Sequence, residues 1–213
     1  YAVVNDFAFL HTQPEKTRRE GLIEAVKVAL VKDGEFFDWI EAHTKELRDL
    51  NEQALEEAVQ RSAILHARHI AQGGDPFELG SSRPLDYGHW AAHKLEQLTD
   101  FDLTHGEAVS VGVALDTLYA SKVGLLDAES AARVLKVIVE LDLPLWHEAL
   151  DLRDPQGRRR VFNGLEEFRE HLGGELTVLL LKAPGQGIDA HEIDEAIWDG
   201  CADELKDQAL VTA

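Results

Sequence analysis

The chain has 213 residues, 45% hydrophobic and 29% charged, which is enough for a buried core in one large domain or two small ones. Its 40 acidic against 21 basic side chains give a formal charge of −19, a surface that repels phosphate backbones and disfavours nucleic-acid or anionic-membrane partners. The single Cys201 excludes an internal disulfide framework and a cysteine zinc cluster; with no apolar run near the ~18 residues of a membrane span and no secretory signal pattern, a cytoplasmic protein is expected.

In chain order, Tyr1–Asp6 reads as a short strand followed by a turn. A start at Tyr1 and the absence of methionine lead to the expectation of a longer parent protein. From about Lys16 the apolar positions Leu22, Ile23, Val26 and Leu30 follow a helical period; Gly34 interrupts it, and Phe36, Phe37, Trp39 and Ile40 begin another helical segment. A long amphipathic helix is expected over about 51–72, with Leu55, Val59, Ile64 and Leu65 facing inward. Residues 73–84 are too dense in glycine and proline for regular structure. Further helices are expected at about 88–98, 107–123, 127–141 and 161–172, with Thr104 and Glu107 forming a capping box. Glu175–Lys182 reads as a second strand, and Asp189 with Glu192 as the cap of a last helix to about 206. The expected fold class is therefore mainly α, multi-helical with two short isolated strands. Trp39, Trp90, Trp146 and Trp198 read as core or interface anchors, and Arg158-Arg159-Arg160 as a solvated turn.

Three segments hold chemistry-bearing residues. In Gly21–Lys27, Glu24 and Lys27 share a helical face at i,i+3, which alone is most often a solvated surface pair. In Gly88–His93, His89 and His93 stand at i,i+4, so both imidazoles can reach one cavity. Such a pair is still more often a cap or a core pair than a site, and Trp90 after the first histidine excludes the zinc-protease pattern, which needs glutamate there. In His105–Val109, His105 stands at a helix start before Gly106, by itself the signature of a capping histidine. Together, Glu24, His89 and His105 supply one carboxylate and two imidazoles, a zinc set that leaves the fourth position open to substrate oxygens, with Lys27 and His93 one turn away.

At this point the sequence resembles the dehydroquinate synthase-like sugar-phosphate cyclases. That family's E-x-x-K, N-x-G-H-x-x-x-H and H-G-E-A-V motifs correspond to Glu24–Lys27, Asp86–His93 and His105–Val109, and the stretches Ala2–Asp6 and Lys32–Phe37 follow the same run of sequence. The resemblance is fullest over residues 1–125 and rests on motif order, spacing and flanking text. It implies that residues 13–213 are a helical metal- and substrate-binding domain and that 1–12 are the end of a nucleotide-binding domain. No G-x-G-x-x-G stands between a strand and a helix, so no cofactor-binding residues are expected here, and NAD is expected to belong to the full-length protein.

The implied reaction is a zinc-dependent, NAD-assisted cyclisation of a sugar phosphate to a carbocycle with phosphate elimination, that is, a carbon–oxygen lyase. By position, Glu24, His89 and His105 are the ligands of Zn2+ or another divalent metal, and Lys27, His93 and Asp86 are the catalytic, substrate-facing residues. The family's carboxylate-holding arginine and lysine correspond to Ser82 and His66, with Arg83 adjacent to the first. Asp86 stands where the family has asparagine, which disfavours a carboxylated sugar and favours a neutral polyol phosphate such as sedoheptulose 7-phosphate. Arg169 is a further candidate for the phosphate. The resemblance also implies a homodimer. Two other readings stay open: a metal-dependent alcohol dehydrogenase of the glycerol dehydrogenase type, and a non-catalytic helical binding module.

Overall fold

The structure, a computed structural model, describes residues 4, 6–72, 86–171 and 176–212. The strand expected at 1–6 falls largely outside the described residues, as does the 73–84 loop, while Val4 and Asp6 have no regular structure. Phe7–Thr12 form a 3-10 turn, capped where the Asp6 carboxylate accepts from the Ala8 N–H.

Nine α-helices follow among the described residues: α1 (Glu15–Lys32), α2 (Gly34–Ala42), α3 (Thr44–Arg48), α4 (Glu52–Gln72), α5 (His89–Leu98), α6 (His105–Lys122), α7 (Ala128–Glu140), α8 (Asn163–His171) and α9 (Glu195–Thr212). The break at Gly34 has a local cause. Asp33 ends α1 through its N–H to Ala29 O, and its carboxylate caps α2 by accepting from Phe36 N at 2.9 Å. At the start of α6, the Glu107 carboxylate accepts from the Thr104 N–H and hydroxyl at 3.2 and 2.8 Å, as the capping-box spacing predicts.

Two helices form the centre. Leu22 to Val31 of α1 are buried apart from Glu24, and every residue of α6 from Ala108 to Ala120 is buried, the pattern of helices enclosed on all sides. α6 packs against α1, α5, α7, α9 and the hairpin, and α4 lies against α1. α7 is one-sided: Ala131, Val134, Leu135 and Ile138 are buried at i, i+3, i+4 and i+7. Trp90 and Trp198 are fully buried at 4.7 Å centroid separation, with Tyr119 4.3 Å from Trp198, so these two tryptophans anchor the core.

The strand expected over Glu175–Lys182 is present, but it pairs with a neighbouring strand that was not expected. β1 (Val178–Ala183) and β2 (Gln186–Ala190) form one antiparallel hairpin turned at Pro184–Gly185. Asp189 pairs with Leu179 in this ladder and is not a helix cap. The cap of α9 is Asp194, whose carboxylate accepts from Ala196 N at 2.9 Å, and the helix continues to Thr212 rather than stopping near 206. Arg159 is the second correction. Its side chain is fully buried, with Nε donating to Asp199 and Nη1 to Asp151, both at 2.7 Å, and Nη2 to Asp203, so the arginine run clamps a 3-10 turn (Glu148–Asp151) to α9. The solvated-turn pattern conceals this because three surrounding carboxylates make burial of the guanidinium possible. No described helix is long and apolar enough to cross a membrane.

Candidate metal centre

Three helix segments converge on one face. α1 contributes Glu24 and Lys27, α5 begins with His89 and carries His93 one turn on, and α6 begins with His105. Carboxylate and imidazole atoms of Glu24, His89 and His105 lie within 4.8 Å of one another. Glu24 Oε1 is buried and accepts no hydrogen bond, and it faces His105 Nε2 at 3.7 Å. That gap is too long for a hydrogen bond and suits an ion ~2 Å from each atom. The donor set therefore fits zinc: one carboxylate, two imidazoles and an open side, with both His105 and Glu24 partly exposed.

His89 is held neutral, the form in which an imidazole can bind a metal. Burial, and then the neighbouring Lys27, push its imidazole down from 6.5 to about 2. Its Nδ1 donates to Tyr87 O at 3.3 Å, leaving the Nε2 lone pair toward Lys27 Nζ at 3.5 Å. Lys27 is fully enclosed, its amine 2.6 Å from Glu24 Oε2. The sequence placed this pair at i,i+3, and its enclosure distinguishes it from the usual solvated surface pair.

Beneath the start of α5 lies a carboxylate with no patterned sequence signal. Asp116 on α6 is fully buried and accepts from Gly88 N at 3.1 Å and Trp90 Nε1 at 2.9 Å. Burial pushes its carboxyl from 3.8 up to about 8, against two hydrogen bonds that favour the anion. Next to it, the Tyr87 and Thr117 hydroxyls bond at 2.6 Å. Gly88 has φ +77°, and a Cβ at Gly112 would stand 2.1 Å from Gly88 O, so the backbones of α6 and the α5 start touch. Because the folded carboxyl holds its proton at higher pH than the unfolded one, its stabilising share is complete below 3.8 and lost as pH rises through about 8. Asp116→Asn cannot ionise, so urea denaturation at either end of that window should show a smaller pH slope than the parent. Asp116→Ala leaves two buried donors unmade, at about 1–3 kcal/mol each.

The remaining candidates are distributed unevenly. Asp86 and His93 line a cleft of about 450 Å³ with Trp90, Lys94 and Glu96. His66 on α4 lines a different, largely apolar cavity of about 430 Å³ that reaches Glu24 and Arg18. Arg169 is exposed on α8, 3.9 Å from Glu166, and lines neither cavity. Ser82 and Arg83 lie outside the described residues. Glu96 was absent from the sequence reading, although its place three residues after His93 is a usable signal: its Oε2 lies 3.3 Å from His93 Nδ1 and 3.2 Å from His105 Nδ1. Among the described residues the one sheet is a two-stranded antiparallel hairpin, not the strand–helix–strand crossover of the G-x-G-x-x-G dinucleotide fold.

Residues 21–158 match the family described as 3-dehydroquinate synthase C-terminal. The chain is 33% identical over 200 residues to 3-dehydroquinate synthase of Halorhodospira halophila, covering 93% of this chain and 54% of that protein. It is 32% identical over 197 residues to that of Shewanella loihica, covering 92% and 53%. The chain thus spans about half the length of the curated relatives it matches. Among solved structures, 2-epi-5-epi-valiolone synthase from Streptomyces hygroscopicus, with NAD+ and Zn2+ bound, superposes with a TM-score of 0.82 at 27% identity, covering 95% of this chain and 55% of that one. A 2-deoxy-scyllo-inosose synthase complexed with carbaglucose-6-phosphate, NAD+ and Co2+ shares the fold, with a TM-score of 0.71 at 18% identity over 93% of this chain and 55% of that one.

Proposed function

The chain belongs to the 3-dehydroquinate synthase C-terminal family, and from that premise we propose that it is the metal- and substrate-binding part of an enzyme that cyclises a sugar phosphate to a carbocycle with loss of phosphate. The observation carrying this reading is the convergence of the Glu24, His89 and His105 donor atoms to within 4.8 Å, beside the enclosed Lys27 amine. Zinc or another divalent ion held by these three residues would serve as a Lewis acid toward vicinal substrate oxygens. The nicotinamide cofactor is assigned to a part of the whole protein outside this sequence, for which residues 1–12 would be the trailing end.

This chain's own residues do the following. Lys27, held between Glu24 and His89, donates a hydrogen bond to a substrate oxygen as that oxygen gains negative charge. His93, exposed in the cleft, moves a proton at Nε2 while its Nδ1 is directed at Glu96. Asp86, in the same cleft, accepts from substrate hydroxyls and repels a carboxylate. With His66 and Ser82 in place of a lysine and an arginine, this favours a neutral polyol phosphate such as sedoheptulose 7-phosphate. The likeness to a 2-epi-5-epi-valiolone synthase with NAD+ and Zn2+ bound supports the metal and the cofactor of this reading. Arg83 and Arg169 are the proposed basic partners of the phosphate, and assembly as a homodimer in the cytoplasm, without nucleic-acid or membrane partners, completes the proposal.

The test uses the whole protein with NAD and zinc, and measures inorganic phosphate released from sedoheptulose 7-phosphate and, separately, from a carboxylated heptulosonate phosphate. Release from the first alone is expected. Release from the second alone overturns the substrate class, and oxidation of a plain alcohol without phosphate release overturns the cyclase reading in favour of an alcohol dehydrogenase. Lys27→Met should lower kcat by about 10²–10³-fold while zinc is retained. An unchanged kcat removes Lys27 from the chemistry.

A further inference from the structure

We propose that Glu96 is the positioning residue of this centre, a single carboxylate that fixes the tautomers of both His93 and His105. The proposal deepens the metal-centre reading and rests on it. Glu96 Oε2 accepts from His105 Nδ1 at 3.2 Å and stands 3.3 Å from His93 Nδ1, within ion-pair distance, so one oxygen faces both rings. The carboxylate is the least exposed of the three side chains, 14% against 58% for His93 and 48% for His105. Its backbone is fixed as well: Glu96 O accepts from Phe101 N at 2.8 Å and from the Thr99 hydroxyl at 3.1 Å, where α5 ends.

The consequence for each histidine is specific. A proton held on Nδ1 of His105 leaves the Nε2 lone pair directed at Glu24 Oε1, 3.7 Å away, which is the side on which an ion would be bound. A proton held on Nδ1 of His93 leaves its Nε2 basic and presented to the cleft that also holds Asp86. The same carboxylate thus sets a ligand and a proton carrier in register. Without it, an exposed imidazole divides between tautomers, and the form protonated at Nε2 cannot bind a metal there.

The first arm needs no metal. In the metal-free chain at alkaline pH, nitrogen-15 imidazole spectra should show both His93 and His105 protonated at Nδ1, and Glu96→Ala should shift both toward mixed tautomers. The second arm measures zinc affinity by chelator competition. Glu96→Ala should bind about 10–100-fold more weakly, and Glu96→Gln, whose amide oxygen still accepts, should recover most of that loss. Thermal melts of both variants control for folding. Unchanged tautomers in Glu96→Ala overturn the proposal. So does zinc lost by Glu96→Ala but retained by His89→Ala, because Glu96 would then be a ligand. A wild-type chain that binds no zinc refutes the metal centre, while the tautomer arm still decides the role of Glu96.

Discussion

His89→Ala should give a folded chain that leaves purification without zinc, whereas the parent carries it near-stoichiometrically when purified with zinc and measured by atomic emission. The argument is geometric. His89 is the neutral, half-buried member of the ligand set, its imidazole held deprotonated by burial and by Lys27, so no proton competes with the metal for Nε2. Of the two donor groups within 4.8 Å among the described residues, only Glu24–His89–His105 contains His89, and only His93–Glu96–His105 contains His93. His105→Ala should therefore abolish binding in either case, and His93→Ala should retain zinc. Zinc retained by His89→Ala but lost by His93→Ala would move the ion to the second group and overturn the assignment.

Arg159→Met should be strongly destabilising although it lies outside the site. The guanidinium is fully enclosed, and besides three aspartates it donates to Leu150 O at 2.8 Å. Removing it takes the shared cation from Asp151, Asp199 and Asp203, leaving Asp151 with Lys206 and Asp199 with Arg153. Loss of one partner from a buried ionic cluster costs 3–5 kcal/mol where the rest stays dry, but these carboxylates are a third or more exposed, so about 2–3 kcal/mol is expected, or roughly 5–10 °C in Tm. The pH dependence has a definite sign. Burial opposes ionisation of Asp151, but the hydrogen bonds from Lys206 and Arg159 outweigh it and hold the carboxyl below 3.8. That stabilisation is present above 3.8 and lost as pH falls below it, so the gap between parent and variant should narrow on acidification. A gap that is constant with pH would mean that the guanidinium acts by packing alone.

The convergence of Glu24, His89 and His105, the proposed ligand set, was legible in the sequence because helical spacing is itself geometry. Glu24 with Lys27 and His89 with His93 are fixed to one helical face each by the 3.6-residue period, and the capping box marks the start of α6 at His105. What spacing cannot express is which residue of another helix sits below. Asp116 reads as one acidic residue in an apolar run, and only the packing of α6 against the start of α5 reveals that it holds Gly88 and Trp90. Arg159 was misread for the same reason, its partners lying 8, 40 and 44 residues away. β2 was missed because Gln186–Ala190 contains few β-formers, and its hairpin with β1 depends on the Pro184–Gly185 turn, with Gly185 N donating to Leu30 O at 2.7 Å.

The glycine contacts around α6 have a mechanical consequence. Gly112 meets the backbone of Gly88, Gly106 meets Glu20 of α1, and Gly164 of α8 meets Trp90 O, each so closely that a Cβ would overlap backbone atoms. The heights of α1 and α5 against α6 are therefore gauged by main chain resting on main chain, much as a machinist sets a gap with stops rather than springs. Side chains in the core can be exchanged, and the interior can give by fractions of an ångström, while the spacing among Glu24, His89 and His105 is carried by stops that do not compress. Tolerance to sequence drift is thus highest in the packing and lowest at three residues that have no side chain.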